Sequence, residues 1–116
     1  YKAAAQAVAS DERIKQDIES ISDEAYDRFF NSLQTYTYRF REGSGFKSDK
    51  THIGFISQHI KKNLDETGLS CLAVYDDDNP DLLGVDKQEL IALCVWQIQK
   101  LKARVKELET NTGGAA

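Results

Sequence analysis

Ile91, Cys94, Ile98, Leu101, Val105 and Leu108 recur at alternating spacings of three and four residues, a heptad seam of nearly three repeats. A helix with such a seam is incomplete until another helix covers it, so the chain is expected to self-associate. Packing within one chain is the competing reading, because three heptads is near the minimum for a coiled coil. The start of this helix is marked by Asp86 as N-cap, by Glu89 placed to close a capping box, and by Val85 placed to staple onto Leu90. Leu90, Leu93, Val95 and Trp96 lie off the seam, so the first half of the helix is expected to pack on its own domain too. Beyond Ile98 the off-seam positions become Gln99, Lys100, Lys102, Arg104, Lys106 and Glu107, and only the narrow seam is left. On a parallel coil Arg104, at a g position, would face Glu109 at the next e position of a neighbour. β-branched Ile91, Ile98 and Val105 at a with Leu101 and Leu108 at d favour a dimer by peptide rules.

The remaining segments predict an α+β fold, a small sheet with packed helices. Ser22 caps a helix with acids in its first turn, and Tyr26, Phe29, Phe30 and Leu33 fall on one face of it. From Thr35 to Phe40 the period changes to two, with Tyr36, Tyr38 and Phe40 alternating with polar residues, the pattern of a half-buried strand. Arg41 to Thr51, with Gly43 and Gly45, reads as a flexible connection. His52 to Ile56 predicts a short strand, and Ser57 to Glu66 a helix with Ile60 and Leu64 inward and Gly68 as its C-terminal cap. Leu69 to Tyr75 reads as a buried strand bounded by Gly68 and the acidic turn Asp76-Asp77-Asp78-Asn79. The domain is expected over 10–109, with the coiled-coil helix at 86–109, the end of an upstream segment at 1–9 and a flexible tail at 110–116.

With 116 residues and 41% apolar content the chain makes one domain, and with Tyr1 first and no Met it reads as a piece of something longer. A net charge of −4 argues against a nucleic-acid partner, and the basic run Lys100 to Lys106 reads as a solvated helix face. No apolar run approaches the ~20 residues of a membrane span, so no membrane partner is expected. Cys71 and Cys94 sit in apolar surroundings that suit reduced, buried thiols. His52 and His59 lie seven apart with no Cys nearby, and the acidic turn lacks the Gly and terminal acid of a calcium loop, so no metal or other cofactor is implied.

Chemistry is suggested at the run Ala9-Ser10-Asp11-Glu12-Arg13-Ile14-Lys15. Ser10 before two acids is what a helix start looks like. The same serine can attack the carbonyl of Ala9, with the amine of Lys15 taking its proton, which would make the chain its own substrate. Attack closes a five-membered ring and needs no external substrate binding. It does need a neutral amine, which burial or a neighbouring cation such as Arg13 favours. Five residues of regular helix rotate by roughly 140°, so Ser10 must lie before the helix in extended conformation, or the working lysine must come from another subunit. His52 reads as a strand-end polar residue and Gln58 as a helix-start residue, and neither is given a catalytic role.

Three motifs stand in order: Ser10 to Lys15, His52-Ile53-Gly54-Phe55-Ile56-Ser57-Gln58, and Glu89-Leu90-Ile91-Ala92-Leu93 leading into the seam. Together they resemble the peptidase S74 family, the intramolecular chaperone auto-processing domain at the C-terminus of bacteriophage tailspikes, tail fibres and neck appendages, over roughly residues 9 to 109. Ser57 stands where the family usually carries Ala. The resemblance implies a homotrimer that helps an upstream β-rich fibre of the same polypeptide to fold and then cuts itself off between Ala9 and Ser10. Ser10 would be the nucleophile and Lys15 the general base of a Ser-Lys dyad. It further implies a virion-associated precursor assembled in the host bacterial cytoplasm, with the chaperone domain released after cleavage. A non-cleaving trimerisation domain of the same fold is the alternative.

Overall fold

A computed structural model describes residues 9–115, with side chains through Asn111. After a single 3-10 turn at Glu12–Ile14, the elements run α1 (Glu24–Ser32), β1 (Tyr36–Tyr38), β2 (His52–Gly54), α2 (Ser57–Thr67), β3 (Tyr75–Asp76), β4 (Gly84–Val85) and α3 (Lys87–Ala115). The fold is α+β, but in place of one small sheet there are two antiparallel pairs, β1 with β2 and β3 with β4. The upstream segment expected at 1–9 lies outside the described residues except for Ala9.

α1 starts one residue later than expected: Asp23, not Ser22, accepts from the Ala25 N–H at 2.8 Å and caps it. A carboxylate there also complements the helix dipole. The predicted aromatic face is present, with Phe29 fully buried and Tyr26, Phe30 and Leu33 packed around it. Burying a side chain of that size contributes about 3 kcal/mol. α2 presents Ile60 and Leu64 to the same core and ends as predicted at Gly68, whose φ of 75° is left-handed. The Leu69 N–H then reaches back to the Leu64 carbonyl at 2.8 Å and the Gly68 N–H to that of Asp65 at 3.3 Å, a Schellman closure.

That closure explains the principal departure from the sequence expectation. Leu69 to Tyr75 is not a buried strand; the chain turns back on itself, with Leu72 N–H on the Leu69 carbonyl, and pairing begins only at Tyr75. Leu69 and Val74 are buried while Cys71 between them is exposed. A short apolar run marks burial without fixing backbone conformation. Cys94 is exposed as well, so the expectation of buried thiols fails at both cysteines, which are free.

Asp86 caps α3, accepting from Gln88 N–H at 2.9 Å, but the second half of the capping box does not form. The Asp86 N–H is already taken by the Val74 carbonyl at 2.7 Å, continuing the β3–β4 pairing, so Glu89 has nothing to reach back to. α3 runs to Ala115 instead of ending at 109, because no proline or left-handed cap interrupts the ladder after Glu109; residue 116 lies outside the described residues. Its inner face closes the core with Leu90 and Leu93, beside Ala25, Phe29, Ile60, Leu64, Leu69 and Val74. Val95, expected to join them, stays exposed.

Tyr26 of α1 meets Trp96 edge-on, and Asp27 of α1 accepts from Gln97 at 2.8 Å and pairs with Lys100 at 2.6 Å. Beyond Lys100 every described side chain of α3 is exposed. The helix therefore projects from the body, and the radius of gyration of 18.3 Å exceeds the roughly 13 Å of a compact chain of this length.

Candidate cleavage site

Residues Ala9 to Ser20 form an exposed strap leading into α1. Its one ordered turn is capped by Asp11, not Ser10: Asp11 is extended (φ −69°, ψ 131°) and its Oδ1 accepts from the Arg13 N–H at 2.9 Å. Lys15 closes the turn and is extended again (φ −109°, ψ 149°), its N–H on the Glu12 carbonyl. Ser10 and Lys15 thus flank one tight turn on either side. Lys15 Nζ donates to Ser10 Oγ at 2.8 Å. The rotation that would separate these two side chains on a regular helix never accumulates, because the helix is a single turn long.

Arg13 folds back on Asp11, its guanidinium spanning both carboxylate oxygens with a shortest distance of 2.6 Å. The Arg13 side chain first, and its backbone N–H second, hold the Asp11 carboxyl below the usual carboxylate range. The cation expected to favour a neutral Lys15 amine is thus matched by a carboxylate instead. Two features of the strap escaped the sequence reading: Ile14 and Ile18 are 69% and 67% exposed, and Asp17 takes a left-handed φ of 54°, which turns the chain between them. Asp tolerates the left-handed region, so Asp17 itself was the available signal for this turn; nothing local marked the exposure.

The second motif forms the β1–β2 pair and the start of α2. His52 stacks on Tyr38 at 5.5 Å and meets Phe40 edge-on at 5.0 Å, and Phe40 stacks on Phe46 at 4.7 Å. His52 is held in an aromatic cluster, and Gln58 is exposed in the first turn of α2. Gly54 packs closely on Tyr38: a Cβ there would lie 3.3 Å from the ring, which would have to shift by a few tenths of an ångström.

The third motif presents two faces. Leu90 and Leu93 face the body, while the seam residues Ile91, Ile98, Leu101, Val105 and Leu108 are all exposed, Leu101 by 62%. Ile98, Leu101 and Val105 line a shallow apolar groove of about 620 Å³ edged by Lys102, Lys106 and Glu109. Arg104 pairs with Glu107 on its own helix at 2.8 Å. Among the described residues no helix is long and apolar enough to cross a membrane, and no cluster of His, Cys, Asp or Glu could hold a metal ion.

An α+β body thus carries a strap with a paired serine and lysine and a projecting helix with an exposed apolar seam. The profile of the peptidase S74 family, described as chaperone of endosialidase, matches residues 10–69, more than half of the chain, and the chain belongs to that family. A crystal structure of an intramolecular chaperone is similar in fold, with a TM-score of 0.60 at 24% identity over 82% of this chain and 99% of that one. No curated protein matches the chain.

Proposed function

We propose that this domain is the C-terminal intramolecular chaperone of a phage fibre or tailspike, which trimerises through the α3 seam, assists folding of the upstream part of the same polypeptide, and releases itself by cutting Ala9–Ser10. The observation that carries this reading is the 2.8 Å contact between Lys15 Nζ and the Oγ of Ser10, the residue that follows Ala9 in the chain. Residues 10–109 form the working unit, with the coil carried by α3 and 1–9 the end of the upstream segment. Assembly and cutting belong to the host bacterial cytoplasm.

The chemistry follows from connectivity. Ser10 Oγ attacks the Ala9 carbonyl carbon while its proton passes to Lys15 Nζ; the C–N bond then breaks as that proton moves to the Ser10 nitrogen. The resulting ester takes up one water, leaving an Ala9 carboxylate and a free Ser10 hydroxyl. The donating contact seen here is the same path run in the other direction once the amine is neutral. Covering the strap in the assembly supplies the burial that favours the neutral amine.

A non-cleaving assembly domain is the second reading, favoured by the exposure of Ser10 and Lys15 in the single chain. The two separate on one experiment. In the protein carrying its upstream part, mass analysis should find a C-terminal product starting at Ser10, absent in Ser10→Ala and Lys15→Met although both still assemble. A parent that stays whole once assembled leaves the non-cleaving reading, and a Ser10→Ala protein cut as fast as the parent removes the proposed nucleophile.

A further inference from the structure

The contact between α1 and α3 that lies furthest along α3 is polar. Asp27 receives Lys100 Nζ on both carboxylate oxygens at 2.7 and 2.6 Å and Gln97 Nε2 on Oδ1 at 2.8 Å, so two α3 side chains one turn apart converge on one α1 residue. The same Lys100 ammonium lies 4.5 Å from the centre of the Trp96 ring, which the ring of Tyr26 meets edge-on at 6.2 Å. The apolar contacts closer to the start of α3, Leu90 and Leu93, attract without direction and tolerate sliding or rolling. Charge-assisted hydrogen bonds do not, because they need donor and acceptor in one geometry. One residue of helix rotation is about 100°, enough to carry Gln97 and Lys100 away from Asp27.

We propose that Asp27, Gln97, Lys100 and Trp96 form a clamp that sets the rotation of α3 on the body, so that folding of the body and association of the seam become one cooperative event. The clamp lies beside the seam: Ile98 follows Gln97 and Leu101 follows Lys100 in sequence, and both are exposed while Gln97 and Lys100 are held on Asp27. Polar contacts within otherwise apolar packing are best attested as setters of register, the role assigned here. The inference rests on the self-association reading above and adds the residues that connect association to the fold.

The test uses the full chain and its one tryptophan, Trp96. Thermal unfolding is followed by Trp96 fluorescence over a range of protein concentrations, with sedimentation in parallel. In the parent, the Trp96 midpoint should rise with concentration, as linkage to association requires. In Asp27→Asn, close in shape and still able to bond Gln97, association should persist while the Trp96 midpoint loses its concentration dependence. The charge swap Asp27→Lys with Lys100→Glu should restore it. An Asp27→Asn chain as concentration-dependent as the parent overturns the clamp, as does a swap that restores nothing, including the case where Asp27→Asn fails to fold. A parent that sediments as a monomer throughout removes the self-association reading and the clamp with it, an outcome distinct from the first two.

Discussion

Asp11 does the work that the sequence assigns to Ser10, and this frees the serine. With the cap supplied by the following residue, Ser10 Oγ is available to Lys15 Nζ, which reaches it at 2.8 Å. Removing the cap should therefore loosen the candidate site without deleting a reacting group. Asp11→Ala should slow appearance of the Ser10 product without abolishing it, whereas Ser10→Ala stops it, and time courses of the two variants read against the parent check the difference. Ser10 and Lys15 could be proposed from the sequence because the proposed chemistry needs a hydroxyl and an amine beside the bond to be cut. Which residue caps, and that Arg13 is matched by Asp11, was not legible: Ser and Asp both cap well, and the choice depends on backbone angles that adjacent residues share.

Elements differ in how far local rules fix them. The end of α2 is fixed locally, because Gly68 at φ 75° lets Gly68 and Leu69 close on Asp65 and Leu64. Gly68→Ala should cost about 1 kcal/mol, a drop in melting temperature on the order of 5 °C by calorimetry, since an L side chain is disfavoured there. α3 is governed by two stripes at different angles on one helix. Ile98→Asp and Leu101→Asp, each on the exposed seam, should abolish association in sedimentation and lower the thermal midpoint of Trp96, as linkage of folding to association requires. The seam was readable from its 3–4 spacing, and so was the partial packing of the first half of α3. That Val95 stays outside while Leu90 and Leu93 turn inward depends on where α1 lies, which no spacing within α3 contains. Leu69 to Val74 shows the opposite limit: hydrophobicity announced burial of Leu69 and Val74, and the Schellman closure then decided that they are buried by turns and not by a ladder.

For the whole molecule, the ion pair between residues 27 and 100 ties the chain's first helix to its last. The Lys100 ammonium first, then Gln97, holds the Asp27 carboxyl below its ordinary range, with partial burial opposing them. A carboxyl depressed in the folded state contributes stability that is complete above its unfolded pKa, near 3.9, and is lost as pH falls through the lower folded value. Stability measured by denaturant titration should therefore fall below about pH 4 in the parent, and the part of that fall due to this pair should be missing in Asp27→Asn. The sequence by itself determined the helices, the αL cap, the seam and the residues of the candidate cut site, because each of these is set by side-chain type and spacing within one turn or one strand. Only the tertiary structure decided that the sheet divides into two pairs, that both cysteines face outward, and that Asp27 meets Gln97 and Lys100. Those outcomes depend on how separate elements pack in space, and contacts across seventy residues leave no period in the chain.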